Sequence, residues 1–185
     1  QPGIYILLSS IEINLHSGWN LVAYPLQINL TADAAFSSLE KLPVLTAYGY
    51  DATSGDPWKL YSPGVPDWVN DLETLKQGQG YWIYTSEAAT WRLSGGMQAA
   101  QAKDEVKGLT PTPPATFYGW VYPDLGTLGF LPAVGTPVQA YVGSTLCAET
   151  TAFEVDGELV YKLEIAESPT CGGEGRVVTF RSGST

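Results

Sequence analysis

The sequence predicts a mainly β protein: a β-rich first domain with one short helix, a Pro/Thr linker, and a small β-sandwich as second domain. Three observations carry that prediction. Twenty Gly, thirteen Pro, eleven Tyr and six Trp among 185 residues favour short strands and turns over long helices. Apolar and polar residues alternate with period two, as in Ile11-Glu12-Ile13-Asn14-Leu15, the pattern of a half-buried strand. Finally, Leu109-Thr110-Pro111-Thr112-Pro113-Pro114-Ala115-Thr116 favours extended polyproline II and cannot sustain a regular ladder. The chain therefore divides into an N-terminal extension (1–10), a first domain (11–108), a linker (109–116) and a second domain (117–185).

In the first domain, residues 11–15 form a strand and His16-Ser17-Gly18 turns the chain. Trp19-Asn20-Leu21-Val22-Ala23-Tyr24 returns as the next strand, ended by Pro25. Thr31 or Asp33 caps a short helix with Ala35, Phe36, Leu39 and Leu42 on one face and Pro43 as its stop. Residues 44–50 read as a strand, 51–57 as the turn after it, and Trp58-Lys59-Leu60-Tyr61 as another strand. Asn70-Asp71-Leu72-Glu73-Thr74-Leu75 allows one helical turn. Gly78 and Gly80 introduce the strand Tyr81-Trp82-Ile83-Tyr84, and Thr90-Trp91-Arg92-Leu93 completes the domain. Beyond the linker, strands are expected at 117–121, 137–142, 150–155, 159–165 and 176–181. Asp156-Gly157 is a hairpin signal, and the regular spacing of turns points to a sandwich.

Hydrophobic residues make up 44% and charged residues 15% of the chain, so a packed core is well supplied and disorder is disfavoured. The net charge of −10 falls evenly on both sides of Leu109. Neither half has the Lys/Arg density that nucleic-acid backbones or anionic membranes demand. No run approaches the ~20 apolar residues of a membrane span. The sequence starts at Gln1 without Met, as a processed, mature protein would. Cys147 and Cys171 are the only cysteines. In an oxidising compartment they would close a loop of about 25 residues, worth roughly 3–3.5 kcal/mol in the chain-entropy model. With a single histidine, His16, a zinc site lacks ligands.

Gly18-Trp19-Asn20-Leu21-Val22, Asn70-Asp71-Leu72 and Gly78-Gln79-Gly80-Tyr81-Trp82-Ile83 together resemble a module of secreted and cell-surface bacterial proteins of Chloroflexi type. The second half contains Gly135-Thr136-Pro137-Val138-Gln139-Ala140-Tyr141, Cys147 and Asp156-Gly157-Glu158-Leu159-Val160-Tyr161. It resembles the small Ig-like or carboxypeptidase-regulatory-like extracellular β-sandwich. The resemblance covers most of the chain from Ile11 onward. It implies an extracellular or cell-surface location and brings no catalytic residues with it.

The residues themselves offer little for catalysis, and the chain is expected not to be an enzyme. There is no Gly-x-Ser-x-Gly elbow, and His16 sits in an expected turn. Asp67, Asp71 and Glu73 lie near Trp68, but glycoside hydrolysis needs two carboxylates set across a cleft, and Asp71 reads as a cap. Asp51 and Asp56 do not match an EF-hand loop and read as Asx-turn residues. No cofactor and no metal are expected. Asn29-Leu30-Thr31 is an N-glycosylation sequon, and Thr110, Thr112 and Thr116 in the linker suit O-glycans. Aromatics crowd the first domain. Alternation puts Trp82 and Tyr84 on one face of their strand, with Tyr81 and Ile83 on the other.

One segment has no place in this scheme. Ile4-Tyr5-Ile6-Leu7-Leu8 is an uncharged apolar run outside the first domain, and a bare strand of that kind is an aggregation hazard unless something covers it. Ile4, Ile6 and Leu8 share one face; Tyr5 and Leu7 share the other. It can be covered as an edge strand of its own first domain or by strand addition to a neighbouring copy, and the latter head-to-tail contact propagates into an open fibre. The sequence therefore leads to a structural subunit of an extracellular fibre whose partners are other copies of itself, with or without glycans. The rival expectation is a carbohydrate-binding or adhesive module of a larger surface protein, with Trp58, Trp68, Trp82 and Tyr84 as a sugar platform.

Overall fold

The computed structural model describes residues 10–43, 45–95, 112–123, 131–173 and 175–183. The chain forms two compact units, Gln1–Gly108 and Leu109–Thr185, and both are mainly β. No described helix is long and apolar enough to cross a membrane. The N-terminal segment Ile4-Tyr5-Ile6-Leu7-Leu8 lies outside the described residues, as does Thr110.

The first unit runs β1 (Ser10–Leu15), β2 (Gly18–Ala23), β3 (Leu30–Thr31), α1 (Ala32–Phe36), β4 (Leu45–Tyr50), β5 (Trp58–Tyr61), β6 (Thr74–Leu75), β7 (Gly80–Thr85) and β8 (Ala89–Ser94). A four-stranded antiparallel sheet has the order β2-β7-β4-β5, β1 pairs with β8, and β3 pairs with β6. The expected hairpin at His16-Ser17-Gly18 is not formed. Ser10 pairs with Ser94 and Leu15 with Ala89, then Gly18 with Thr85 and Ala23 with Gly80. The register slips by one residue, but the direction is kept. β1 and β2 are thus one strand that bends, lying along the equally bent β7-β8.

Helix α1 starts where Thr31 Oγ1 accepts from Ala34 N at 3.3 Å, a conventional N-cap. A 3-10 turn, Ser37–Leu39, follows. Together they seat over β8: Trp91 Nε1 donates to Ala35 O at 2.6 Å, and Arg92 N donates to Ser38 Oγ at 2.9 Å. The side of β8 away from β1 is therefore covered by helix. Phe36 stacks between Tyr61 and Trp91, with centroids 5.2 and 5.3 Å away. Around these rings lie Leu15, Leu26, Leu39, Leu75, Ile83 and Leu93, all buried.

The helical turn expected at residues 70–75 is also absent. Asn70 Oδ1 accepts from Ser62 N at 2.8 Å, and Asp71 Oδ1 accepts from Leu60 N at 2.7 Å. These side chains serve the outer edge of β5 instead of capping a helix, and Thr74–Leu75 stays extended as β6.

The second unit contains β9 (Ala115–Trp120), β10 (Pro137–Val142), β11 (Thr145–Thr151), β12 (Phe153–Val155), β13 (Glu158–Ile165) and β14 (Val178–Ser182). The order in one antiparallel sheet is β11-β10-β14 and in the other β12-β13-β9. Val138, Ala140, Ala152, Leu163 and Ile165 are buried in the core they share, a small β-sandwich. Asp156 and Gly157 have φ of 52° and 84° and close a two-residue hairpin, since only the primed turns match strand twist. Cys147 of β11 is disulfide-bonded to Cys171 in the segment after β13. The strand after the linker begins at Ala115, two residues before its expected start. The strand expected at 150–155 is broken at Ala152, whose N–H and C=O bond Thr136 and Gly135.

Candidate functional site

Strand alternation divides the side chains of the four-stranded sheet. Val22, Ala47, Tyr61, Tyr81, Ile83 and Thr85 face the core. On the opposite face stand Trp19, Leu21, Tyr48, Tyr50, Trp58, Leu60, Trp82 and Tyr84. So many aromatics cannot all be left in water. The β5 half of the face is covered, because Val65, Trp68 and Val69 of the segment after β5 pack onto Tyr48, Trp58 and Leu60.

The β2 half stays open. Trp19 is 40% exposed and Leu21 44%. The Trp19 ring is held by edge contacts at centroid distances of 5.3 Å from Tyr84 and 6.4 Å from Trp82, and by a tilted one 6.0 Å from Tyr48. Among the described residues β2 pairs with β7 alone, and no described strand lies along its other edge. Gly18-Trp19-Asn20-Leu21-Val22-Ala23 has no charge and no proline, the devices that usually protect an edge. The segment is rigid at its start. Asn20 Oδ1 accepts from His16 N at 3.0 Å, and Asn20 Nδ2 donates to the carbonyls of His16, Gly18 and Ile83 at 2.9, 3.0 and 3.3 Å. Thr85 Oγ1 also donates to His16 O, at 3.0 Å. The bend between β1 and β2 is thereby fixed by buried side chains.

Beside Tyr50, which is 44% exposed, lies a groove of about 240 Å³ lined by Asp51, Lys59, Asp71, Glu73, Lys76 and Gln79 among others. Its charges largely answer one another. Lys59 Nζ lies 3.2 Å from Asp56 Oδ2 and 3.3 Å from Asp71 Oδ2. Burial works against the Lys59 charge, but the hydrogen bonds and charges of Asp56 and Asp71 outweigh it and raise its pKa. Asp51 Oδ1 accepts from Thr53 Oγ1 at 2.6 Å and from Thr53 N at 3.0 Å, and these bonds lower its pKa. Asp51 thus closes an Asx turn and Asp56 faces Lys59. No group of three or more His, Cys, Asp or Glu side chains suited to a metal ion occurs among the described residues. Asp71 is committed to Leu60 N and Lys59, while Asp67 is exposed in the turn before it.

The four rings expected to form a sugar platform are split. Trp58 is 8% exposed, wedged against Tyr48 and Tyr50 at 5.9 and 4.9 Å, and Trp68 belongs to the covering segment. Trp82 and Tyr84 lie in the open half, each half-buried. Asn29 and Thr112 are exposed and Thr116 lies in β9. Sequence reasoning missed Trp19 and Leu21 as surface residues. The period-two spacing of Trp19, Asn20 and Leu21 was the signal for them.

Comparison with protein-family models, with curated proteins and with solved structures finds no match to this chain.

Proposed function

We propose that this chain is a structural subunit of an extracellular bacterial fibre, joined head-to-tail by N-terminal strand addition to a neighbouring copy. The observation that carries the reading is the open edge of β2, uncharged and flanked by the exposed Trp19 and Leu21. A bare edge of this type recruits a strand through main-chain hydrogen bonds, while side-chain pockets on its two faces select the sequence. Residues 4–8 supply an apolar strand that needs cover. The Cys147–Cys171 disulfide supports an oxidising compartment. The contact is heterologous, so each copy keeps one donor and one acceptor and growth is open-ended. The deciding experiment compares the full chain with a variant lacking residues 1–9, by sedimentation and negative-stain microscopy. Filaments from the full chain and monomers from the truncated one are expected; equal assembly by both removes the proposal.

A second reading has its own observation, the exposed Tyr50 ring beside a polar groove. A carbohydrate-binding module needs a flat apolar ring next to hydrogen-bonding groups. Binding to a glycan array by the monomeric truncated protein, lost on Tyr50→Ala, would favour it over the fibre.

A further inference from the structure

We infer that the acceptor is the β2 edge of the first unit, occupied by residues 4–8 of a second copy; this rests on the fibre reading above. The site has two apolar sides. Trp19 and Leu21 lie on the outer face of β2, and Val22 packs against the core on the other. A strand added beside β2 would have apolar side-chain neighbours on both of its faces, and a continuous apolar run answers both where an alternating strand answers only one. Ile4-Tyr5-Ile6-Leu7-Leu8 has that composition. Alternation gives the added strand one face of Ile4, Ile6 and Leu8 and another of Tyr5 and Leu7, so either register sets apolar side chains beside Trp19 and Leu21 and beside Val22.

The donor must come from another molecule. An extended chain advances about 3.3 Å per residue, so Ile4 lies at most roughly 20 Å from Ser10, whereas Trp19 is roughly 30 Å along the bent strand. In its own molecule the segment can fold back along β1 no further than about His16, because a hairpin turning at Ser9-Ser10 pairs residues symmetrically about the turn. β1 does not offer the same site, since it carries Glu12, paired with Arg92 at 2.9 Å.

Two edges of the second unit are less suited. β14 carries Arg181, set over the Tyr141 ring at 4.3 Å. β9 is bounded by Pro113 and Pro114 before it and Pro123 after it, and prolines blunt an edge.

The test uses the full-length chain with Leu21→Lys, which puts a charge on the open face at an exposed position, and Phe180→Lys on β14 as a control. Foldedness is checked by circular dichroism; if Leu21→Lys does not fold, Ala23→Lys, exposed on the same face, takes its place. Leu21→Lys is expected to stay monomeric and Phe180→Lys to polymerise as the unaltered chain does. Leu21→Lys keeps its donor and the chain lacking residues 1–9 keeps its acceptor, so mixing the two should give dimers and nothing larger. If Leu21→Lys polymerises normally while the truncated chain does not, the acceptor lies elsewhere and the fibre reading survives. If the truncated chain also polymerises, the fibre reading itself fails.

Discussion

Asn20 grips the backbone of His16 from both sides, accepting from its N–H at 3.0 Å and donating to its C=O at 2.9 Å. An amide side chain is suited to this because it carries donor and acceptor on one planar group. The two bonds close a ring around the bend between β1 and β2, and the further bonds to Gly18 O and Ile83 O tie that bend to β7. Local geometry at one buried asparagine therefore sets the angle at which the open β2 edge leaves β1.

Asn20→Ala strips partners from several buried backbone groups at once, at a cost of about 2–4 kcal/mol. The first unit's melting temperature should fall by roughly 10–20 °C. Asn20→Asp should be no better near neutral pH, because a carboxylate would face three carbonyl oxygens. Thermal unfolding followed by tryptophan fluorescence reads both; an Asn20→Ala protein that melts with the parent would show the clamp to be idle.

Most strands were legible because period-two alternation and turn residues are local signals, as in Ile11 to Leu15 and in the Asp156-Gly157 hairpin. The helix at α1 was equally plain from Thr31 and the spacing of Ala35, Phe36 and Leu39. In the sequence the bend at His16-Ser17 looks like a reversal, because Ser-Gly between two strands is the same in either case. What distinguishes them is a partner 69 residues away, Thr85 bonding His16 O, and no local pattern encodes that. Asn70 and Asp71 were misread for the same reason: their acceptors serve Ser62 and Leu60 rather than their own following turn. The open aromatic face was partly legible. Trp82 and Tyr84 were placed on one face, but Trp58 and Trp68 were grouped with them because sequence does not show which half a covering segment occupies.

Tyr24 presents a different case. Its hydroxyl is buried without a hydrogen-bond partner among the described residues, and an unpaired buried donor is a standing cost. Tyr24→Phe is expected to leave the fold intact and raise stability by about 0.5–1 kcal/mol. A rise in the urea midpoint at constant slope would confirm it; a fall would reveal a partner for the hydroxyl.

The same phenol, with Tyr61, sets the alkaline limit. Burial pushes Tyr24 up to about 12, helped by the neighbouring Tyr81. Burial likewise pushes Tyr61 up to about 12, aided by its hydrogen bond to Asp33 and the charges of Asp33 and Glu40. An unfolded chain loses these protons near pH 10, so above that pH it binds fewer protons than the folded one. Stability is then whole below about pH 10 and falls as pH climbs towards 12. Urea midpoints taken across that interval should decline, and decline less in Tyr24→Phe and Tyr61→Phe. A flat profile would mean that both phenols ionise freely in the folded state.

Two tryptophans of the first unit should respond unequally to the same change. Trp91 is fully buried, stacked on Phe36 at 5.3 Å and bonded through Nε1 to Ala35 O. Trp91→Phe removes that hydrogen bond and leaves a void beside it, at about 2–4 kcal/mol. Trp19→Phe trims a ring that is 40% exposed and keeps an aromatic against its neighbours, so it should cost under about 1 kcal/mol. Calorimetry of the two variants separates packing from surface; a Trp19 effect as large as that of Trp91 would place Trp19 in the core instead.

The Cys147–Cys171 bond closes a sequence separation of 24 residues and constrains the unfolded second unit by about 3 kcal/mol in the chain-entropy model. It joins β11 to the segment between β13 and β14, while the buried residues of the cluster around it are only Ala140, Leu163 and Ile165. A core so light depends more on its cross-link than the ring-filled first unit does. Replacing both cysteines with alanine, which avoids a lone reactive thiol, should lower the second unit's melting transition and leave that of the first in place. Reductant added to the parent protein should reproduce the shift. If both transitions moved together by the same amount, the two units would be unfolding as one cooperative body, and the stabilisation by the disulfide would have to be assigned to the whole chain.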